Sequence, residues 1–279
     1  MGLSEFRPKK LGENSRLFLL LVSQINLILG ALFFVYPNLV INLWPWPVKP
    51  LAVRFIGAIF LAITLGCWSS LRAGGWQRAK VLPLVGSAFF GITALVTFSW
   101  GFSPSPGPTV WIWGGYFLLA SIGLLALIAK HGWYREPRDL IASRPSWRLA
   151  SSFFRVQTVV VGVFGTMMII LPDVAQEEFW PWRVQAPTLQ TFGALFLATC
   201  LATGWASRQA DIGRIRALLP LDAIFPTLAL LAVALHWDVV SAESPSAIVT
   251  GVWVFLYSFV AVGSTYLFFT SARRKAAVT

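Results

Sequence analysis

The sequence predicts an all-α, polytopic integral membrane protein: eight transmembrane helices, arranged as two parallel four-helix repeats with a pseudo-two-fold axis along the membrane normal. Three observations carry that expectation. Hydrophobic residues make up 57% of the 279 and charged residues 12%, and the mean hydropathy is +0.70, so there is too little polar surface to cover a soluble globule of this size. The apolar runs are long enough to cross a bilayer as helices, and lipid admits only helices or closed barrels because it satisfies no backbone polar group. Trp44-Pro45-Trp46 recurs 136 residues later as Trp180-Pro181-Trp182, and the same offset aligns Gly57, Ala58, Phe60, Leu61 and Ala62 with Gly193, Ala194, Phe196, Leu197 and Ala198.

Taken in order, spans are expected at 17–36, 51–71, 81–100, 110–129, 151–171, 187–206, 217–236 and 248–270. The first follows Arg7, Lys9, Lys10 and Arg16 as a signal peptide would. It is longer than a signal core, lacks a small-x-small cleavage site, and has a counterpart from Phe153 to Pro172, so it reads as a retained span. In the second, Ala58, Ala62 and Gly66 recur every four residues, as Ala194, Ala198 and Ala202 do in the sixth. Such small-residue stripes let helix backbones approach closely in lipid, and they predict that these two spans form the centre of the bundle, against each other. The third and seventh begin near Pro83 and Pro220, where a missing N–H is tolerated, and Pro226 is expected to kink the seventh. In the fourth and eighth, Gly114 and Ser121 match Gly251 and Ser258 and predict a second packing seam.

The halves align at offsets of 135 at Gly30 and Gly165, 136 at the Trp-Pro-Trp elements, and 137 from Leu82-Pro83-Leu84 to Leu219-Pro220-Leu221. Four spans per unit return the chain to the side from which it started, so both units enter the membrane in the same direction, unlike inverted repeats. The organisation expected is a tail at 1–16, a first repeat at 17–129, a linker at 130–150 containing Pro137 and Pro145, a second repeat at 151–270 and a tail at 271–279.

Lys and Arg crowd the tails and alternate connections, eighteen in all, whereas the opposite connections hold Lys49 and Arg183 with Asp173, Glu177, Glu178, Asp238 and Glu243. The positive-inside bias then predicts cytoplasmic N- and C-termini, in what is read as a bacterial plasma membrane. The net charge of +11 is spread over short juxtamembrane stretches, which suits anionic lipid and argues against a nucleic-acid partner.

Each ionisable group inside lipid is a functional candidate, because its charge is costly there. Arg54 stands a turn inside the second span, with Gln190 at the matching place, and either snorkels and caps locally or binds an anionic group. Arg155 and Asp222 lie at similar depth on the fifth and seventh spans, where the first half has Leu20 and Val85, so a structural ion pair is expected, with a proton or cation relay at Asp222 as the alternative. Gln24, Asn26 and Gln157 are expected to hydrogen bond between helices. Trp44, Trp46, Trp180 and Trp182 read either as an interfacial aromatic belt or, with Arg54 and Gln190, as an outward vestibule for a flat apolar ligand.

Cys67 and Cys200 fall within spans and predict no disulfide, and with only His131 and His236 no metal or haem spacing arises. No nucleophile, base or aspartate cluster marks a reaction, so no enzyme is expected, and no motif names a cofactor. The function expected is a non-catalytic scaffold, accessory subunit or holder of a lipid, quinone or pigment, partnered by membrane lipids and other membrane subunits. A transporter of a neutral or apolar molecule is the alternative.

Overall fold

The structure, a computed structural model, describes residues 11–73, 75–102, 107–132, 145–209 and 215–276, with side chains for all of these but 145–147 and 271–276. Much of the expected N-terminal tail, most of the linker including Pro137, and the end of the C-terminal tail lie outside the described residues. Eight long helices follow one another: α1 (Glu13–Val35), α2 (Pro50–Arg72), α3 (Val81–Gly101), α4 (Thr109–His131), α5 (Pro145–Ile170), α6 (Ala186–Ala206), α7 (Leu219–Leu235) and α8 (Ala247–Ala276). Seven helical stretches are long and apolar enough to cross a membrane, or eight if α7 is counted with the short helix Trp237–Glu243 that follows it, as befits a polytopic membrane protein.

Local chemistry sets the helix ends. Pro50, Pro172, Pro187 and Pro220 all sit in a first helical turn, where the absent N–H would have had no partner. α1 and α5 both stop two residues before a proline, Pro37 and Pro172. Gly132, at φ 77°, ends α4 in the left-handed region and returns its N–H to the carbonyl of Ile128. α7 runs unbroken through Pro226, where a kink is expected, and the sharp break comes at its end, where the chain bends by 82° at His236. A proline removes one helical hydrogen bond, and packing on neighbouring helices holds α7 across that loss.

Helix pairing is reciprocal. α1 packs on α2 as α5 packs on α6, α3 packs on α4 as α7 on α8, and across the middle α2 packs on α7 and α3 on α6. Two glycine crossings bring backbones together: a Cβ on Gly57 would lie 2.6 Å from the amide nitrogen of Phe34, and one on Gly165 3.0 Å from that of Leu197. α2 and α6 are central, as expected, with Ala58, Ala62, Ala194, Ala198 and Ala202 all buried. Their broad contacts, however, are with α7 and α3 rather than with each other. Gly66, for instance, faces Leu82 of α3 and Leu221 of α7. Where α2 and α6 do approach, bulky Phe55 stands against Phe192, with ring centroids 4.6 Å apart, and fills the space an Ala-on-Ala seam would need. In the seam expected on α4 and α8, Gly114 meets the Phe98 ring and Ser121 Oγ bonds the Ser87 carbonyl, but Gly251 faces open space.

Both Trp-Pro-Trp elements lie at one end of the bundle, the tryptophan end, opposite the basic end where Arg72, Arg78 and Lys130 stand.

Candidate functional site

The four tryptophans of the repeated element are fully buried, so they form neither a belt nor an open vestibule. Trp44 packs among Phe33, Trp46 and Trp113, and Trp180 and Trp182 pack around Phe55, Phe192 and Trp253. The chain bends at each Trp-Pro-Trp element and runs extended from there into α2 and α6, and the indoles of both elements turn inward as plugs. Trp46 Nε1 donates to Thr188 Oγ1 at 2.7 Å, which ties the two clusters together. Trp111 and Trp237 are the exposed rings that suit an interface.

Arg54 and Gln190 perform the same local task. Arg54 donates to the Phe34 carbonyl in the last turn of α1, and Gln190 Nε2 to the Ile169 carbonyl in the last turn of α5, at 3.1 Å. Helix C-termini carry carbonyls without internal donors, which these side chains satisfy. Arg54 makes one further bond, from Nε to His236 Nε2 at 3.0 Å, at the bend beyond α7. A neutral imidazole accepts that bond. Nearby, Lys49 pairs with Glu243, whose second carboxylate oxygen accepts from the Arg183 amide at 3.0 Å.

The expected pair of Arg155 with Asp222 does not form. Arg155 is exposed on the outside of α5, whereas Gln157, two residues on and so on the opposite helical face, turns inward. Asp222 is 4% exposed, and its carboxylate accepts from Gln157 Nε2 at 2.7 Å and from Ser264 Oγ of α8 at 2.6 Å. Among the described residues no basic side chain pairs with it. Ser264 is the member that sequence reasoning missed. Its signal was available, because the positions matching Gln157, Asp222 and Ser264 in the first half are the apolar Val22, Val85 and Leu127.

Asp222 and Gln157 line the inner end of a crevice of about 360 Å³. Its walls come from α5 (Val160, Phe164) and α8 (Val252, Leu256), and its floor from Ile59, Phe89, Phe196 and Phe225 of the four helices between them. α5 and α8 meet near the basic end, where Phe153 packs on Phe259 at 5.4 Å and beside Gly263, and the crevice lies between them beyond that contact. It extends to Trp180 and Glu178 at the tryptophan end. The 248–260 stretch of α8 that lines it is roughly 18 Å of helix. Val156, Val252 and Phe259 at its lips are exposed on the outside of the bundle, so the opening is lateral, toward lipid. Four buried polar atoms on its lining side chains, Gln157 Oε1, Trp180 Nε1, Trp253 Nε1 and the Tyr257 hydroxyl, have no hydrogen-bond partner.

The matching seam in the first half is closed. Ser15 Oγ and His131 Nε2 join at 2.9 Å, the Phe18 ring fills the notch at Gly123, and Asn26 Nδ2 donates to the Tyr116 hydroxyl at 2.9 Å. Asn26 and Gln157 thus do bridge helices, as expected, while Gln24 is exposed on α1. Both cysteines are free, and no group of three His, Cys, Asp or Glu among the described residues is placed to hold a metal. No protein-family model, curated protein or solved structure matches this chain.

Proposed function

We propose that the chain is a duplicated, non-catalytic membrane protein that holds one apolar molecule, of the lipid, quinone or pigment class, in the crevice between α5 and α8. One observation carries the reading: a site-sized apolar cavity opening sideways into the bilayer. Duplication is supported by the reciprocal helix pairings, by the matched glycine crossings and by the common role of Arg54 and Gln190. A pseudo-two-fold axis normal to the membrane accounts for all three. The distribution of Lys and Arg supports cytoplasmic termini in a bacterial plasma membrane.

A carrier of neutral or apolar cargo is the second reading. It draws on a depression of about 380 Å³ at the tryptophan end, lined by Pro47, Val48, Lys49 and Ala52 from one half and by Arg183, Val184, Gln185 and Thr188 from the other. The Trp46–Thr188 bond ties the halves together at that depression, which favours holding over passage.

The test is extraction and mass analysis of whatever co-purifies with the protein from its native membrane. Wild type should carry a stoichiometric apolar molecule, and Val160→Trp, which fills the crevice from α5, should carry less than about a tenth as much while folding normally. Equal content in both proteins would rule out the crevice as the holding site.

A further inference from the structure

We infer that the molecule held in the crevice has a single long apolar chain ending in a primary amine, with its ammonium at Asp222 and Gln157. This rests on the proposed role of the crevice as a holder of an apolar guest, and adds the chemistry of the guest's head.

Acceptors outnumber donors at the inner end of the crevice. A carboxylate has about four acceptor positions, and Gln157 Nε2 and Ser264 Oγ occupy two of those on Asp222. Gln157 gives one of its two amide N–H groups to Asp222 and keeps its Oε1 buried and without a donor. Two kinds of acceptor, the remaining positions of the Asp222 carboxylate and Gln157 Oε1, therefore gather at the inner end of the crevice.

Charge points the same way. A carboxylate in the low-dielectric interior is stabilised by an opposite charge with well-placed hydrogen bonds, and the described residues supply the bonds but no cation. An ammonium brings one positive charge and three N–H donors in a compact head, which matches an acceptor cluster with little room around it. A carboxylic acid head would set anion against anion. A hydroxyl would satisfy one acceptor and leave the charge unmatched.

The rest of the crevice suits a chain. Apart from the buried Trp253 Nε1 and Tyr257 hydroxyl, it is apolar along roughly 18 Å of α8, long enough for an extended dodecyl chain, and its lateral opening admits a guest from the bilayer. The first half has Val22, Val85 and Leu127 at the matching positions and a closed seam, so the geometry assigns one guest per chain.

The experiment compares heads on one chain length. Binding of dodecylamine, dodecanol and dodecanoic acid to delipidated full-length protein in maltoside detergent is measured by native mass spectrometry and by the shift in thermal unfolding. The amine is expected to bind about tenfold or more tighter than the alcohol, the scale of one charge-assisted hydrogen bond, and tighter still than the acid. Asp222→Asn should abolish that preference while keeping chain binding, and Gln157→Met should weaken it. Val160→Trp should lose all three ligands.

Equal binding of amine and alcohol, or a preference for the acid, overturns the head assignment and leaves the apolar holder standing. Retention of the amine preference in Asp222→Asn overturns it as well. The wild-type comparison decides the matter if that variant does not fold. Binding of none of the three overturns the holder and the head together.

Discussion

At the scale of single residues, Gln157, Asp222 and Ser264 give the crevice its polar end, and each depends on the other two. Removing the Asp222 side chain alone strands Gln157 Nε2 and Ser264 Oγ in a buried place, at a cost of about 1–3 kcal/mol for each orphaned group. The first half shows what apolar filling looks like, with Val22, Val85 and Leu127 all buried. The triple variant Gln157→Val, Asp222→Val, Ser264→Leu should therefore be more stable than Asp222→Val by about 1–3 kcal/mol in thermal or denaturant unfolding. A triple variant no better than the single would mean that the three side chains do not act as one group. Asp222 was legible in the sequence, because an acid inside an apolar run stands out. Its partner was not, because depth in the bilayer says nothing of helical face, and Arg155 and Gln157 lie only two residues apart.

Among helices, closeness of approach is set by very few atoms. A Cβ on Gly57 would stand 2.6 Å from main-chain nitrogen, which cannot move without separating α1 from α2. Gly57→Ala should accordingly cost about 1–3 kcal/mol. Gly115→Ala, on the open face of α4 where nothing lies within 4 Å, should be neutral or should stabilise by up to about 1 kcal/mol through helix propensity. Unfolding midpoints of the two variants check this, and equal effects would remove the special place given to the α1–α2 crossing. The seams that close the two halves differ in a similar way. Phe18 packs at Gly123, whereas Phe153, its counterpart, packs at Gly263, about one turn beyond the position that matches Gly123. Asn26 and Tyr116 then join α1 to α4, while Val161 and Trp253 at the matching places make no polar bridge, and the crevice opens between α5 and α8. The helices themselves were legible to within a few residues, since their ends follow from apolar length and first-turn prolines. The 82° bend at His236 was not, because it depends on what packs around it.

For the whole molecule, the central fact is that each half supplies a helix to the other's neighbourhood, α2 against α7 and α3 against α6. A Cβ on Gly66 would lie 3.7 Å from the Cβ of Leu221, within the range of a disulfide. In a Cys67→Ala, Cys200→Ala background, Gly66→Cys with Leu221→Cys should crosslink on mild oxidation, and cleavage in the linker should then leave the halves joined on a denaturing gel. Separation of the halves under oxidising conditions would rule out this pairing of α2 with α7. By itself the sequence determined the membrane class, the places of the long helices and the recurrence of Trp-Pro-Trp, because these follow from apolar length, proline placement and internal comparison, all of which are properties of the chain read along itself. Only the tertiary structure decided that the tryptophans are buried plugs, that Asp222 answers to Gln157 and Ser264, and that one seam stands open. A local stripe of small residues marks a helix for close packing, but which helix it meets turns on side-chain shape and facing across elements far apart in sequence.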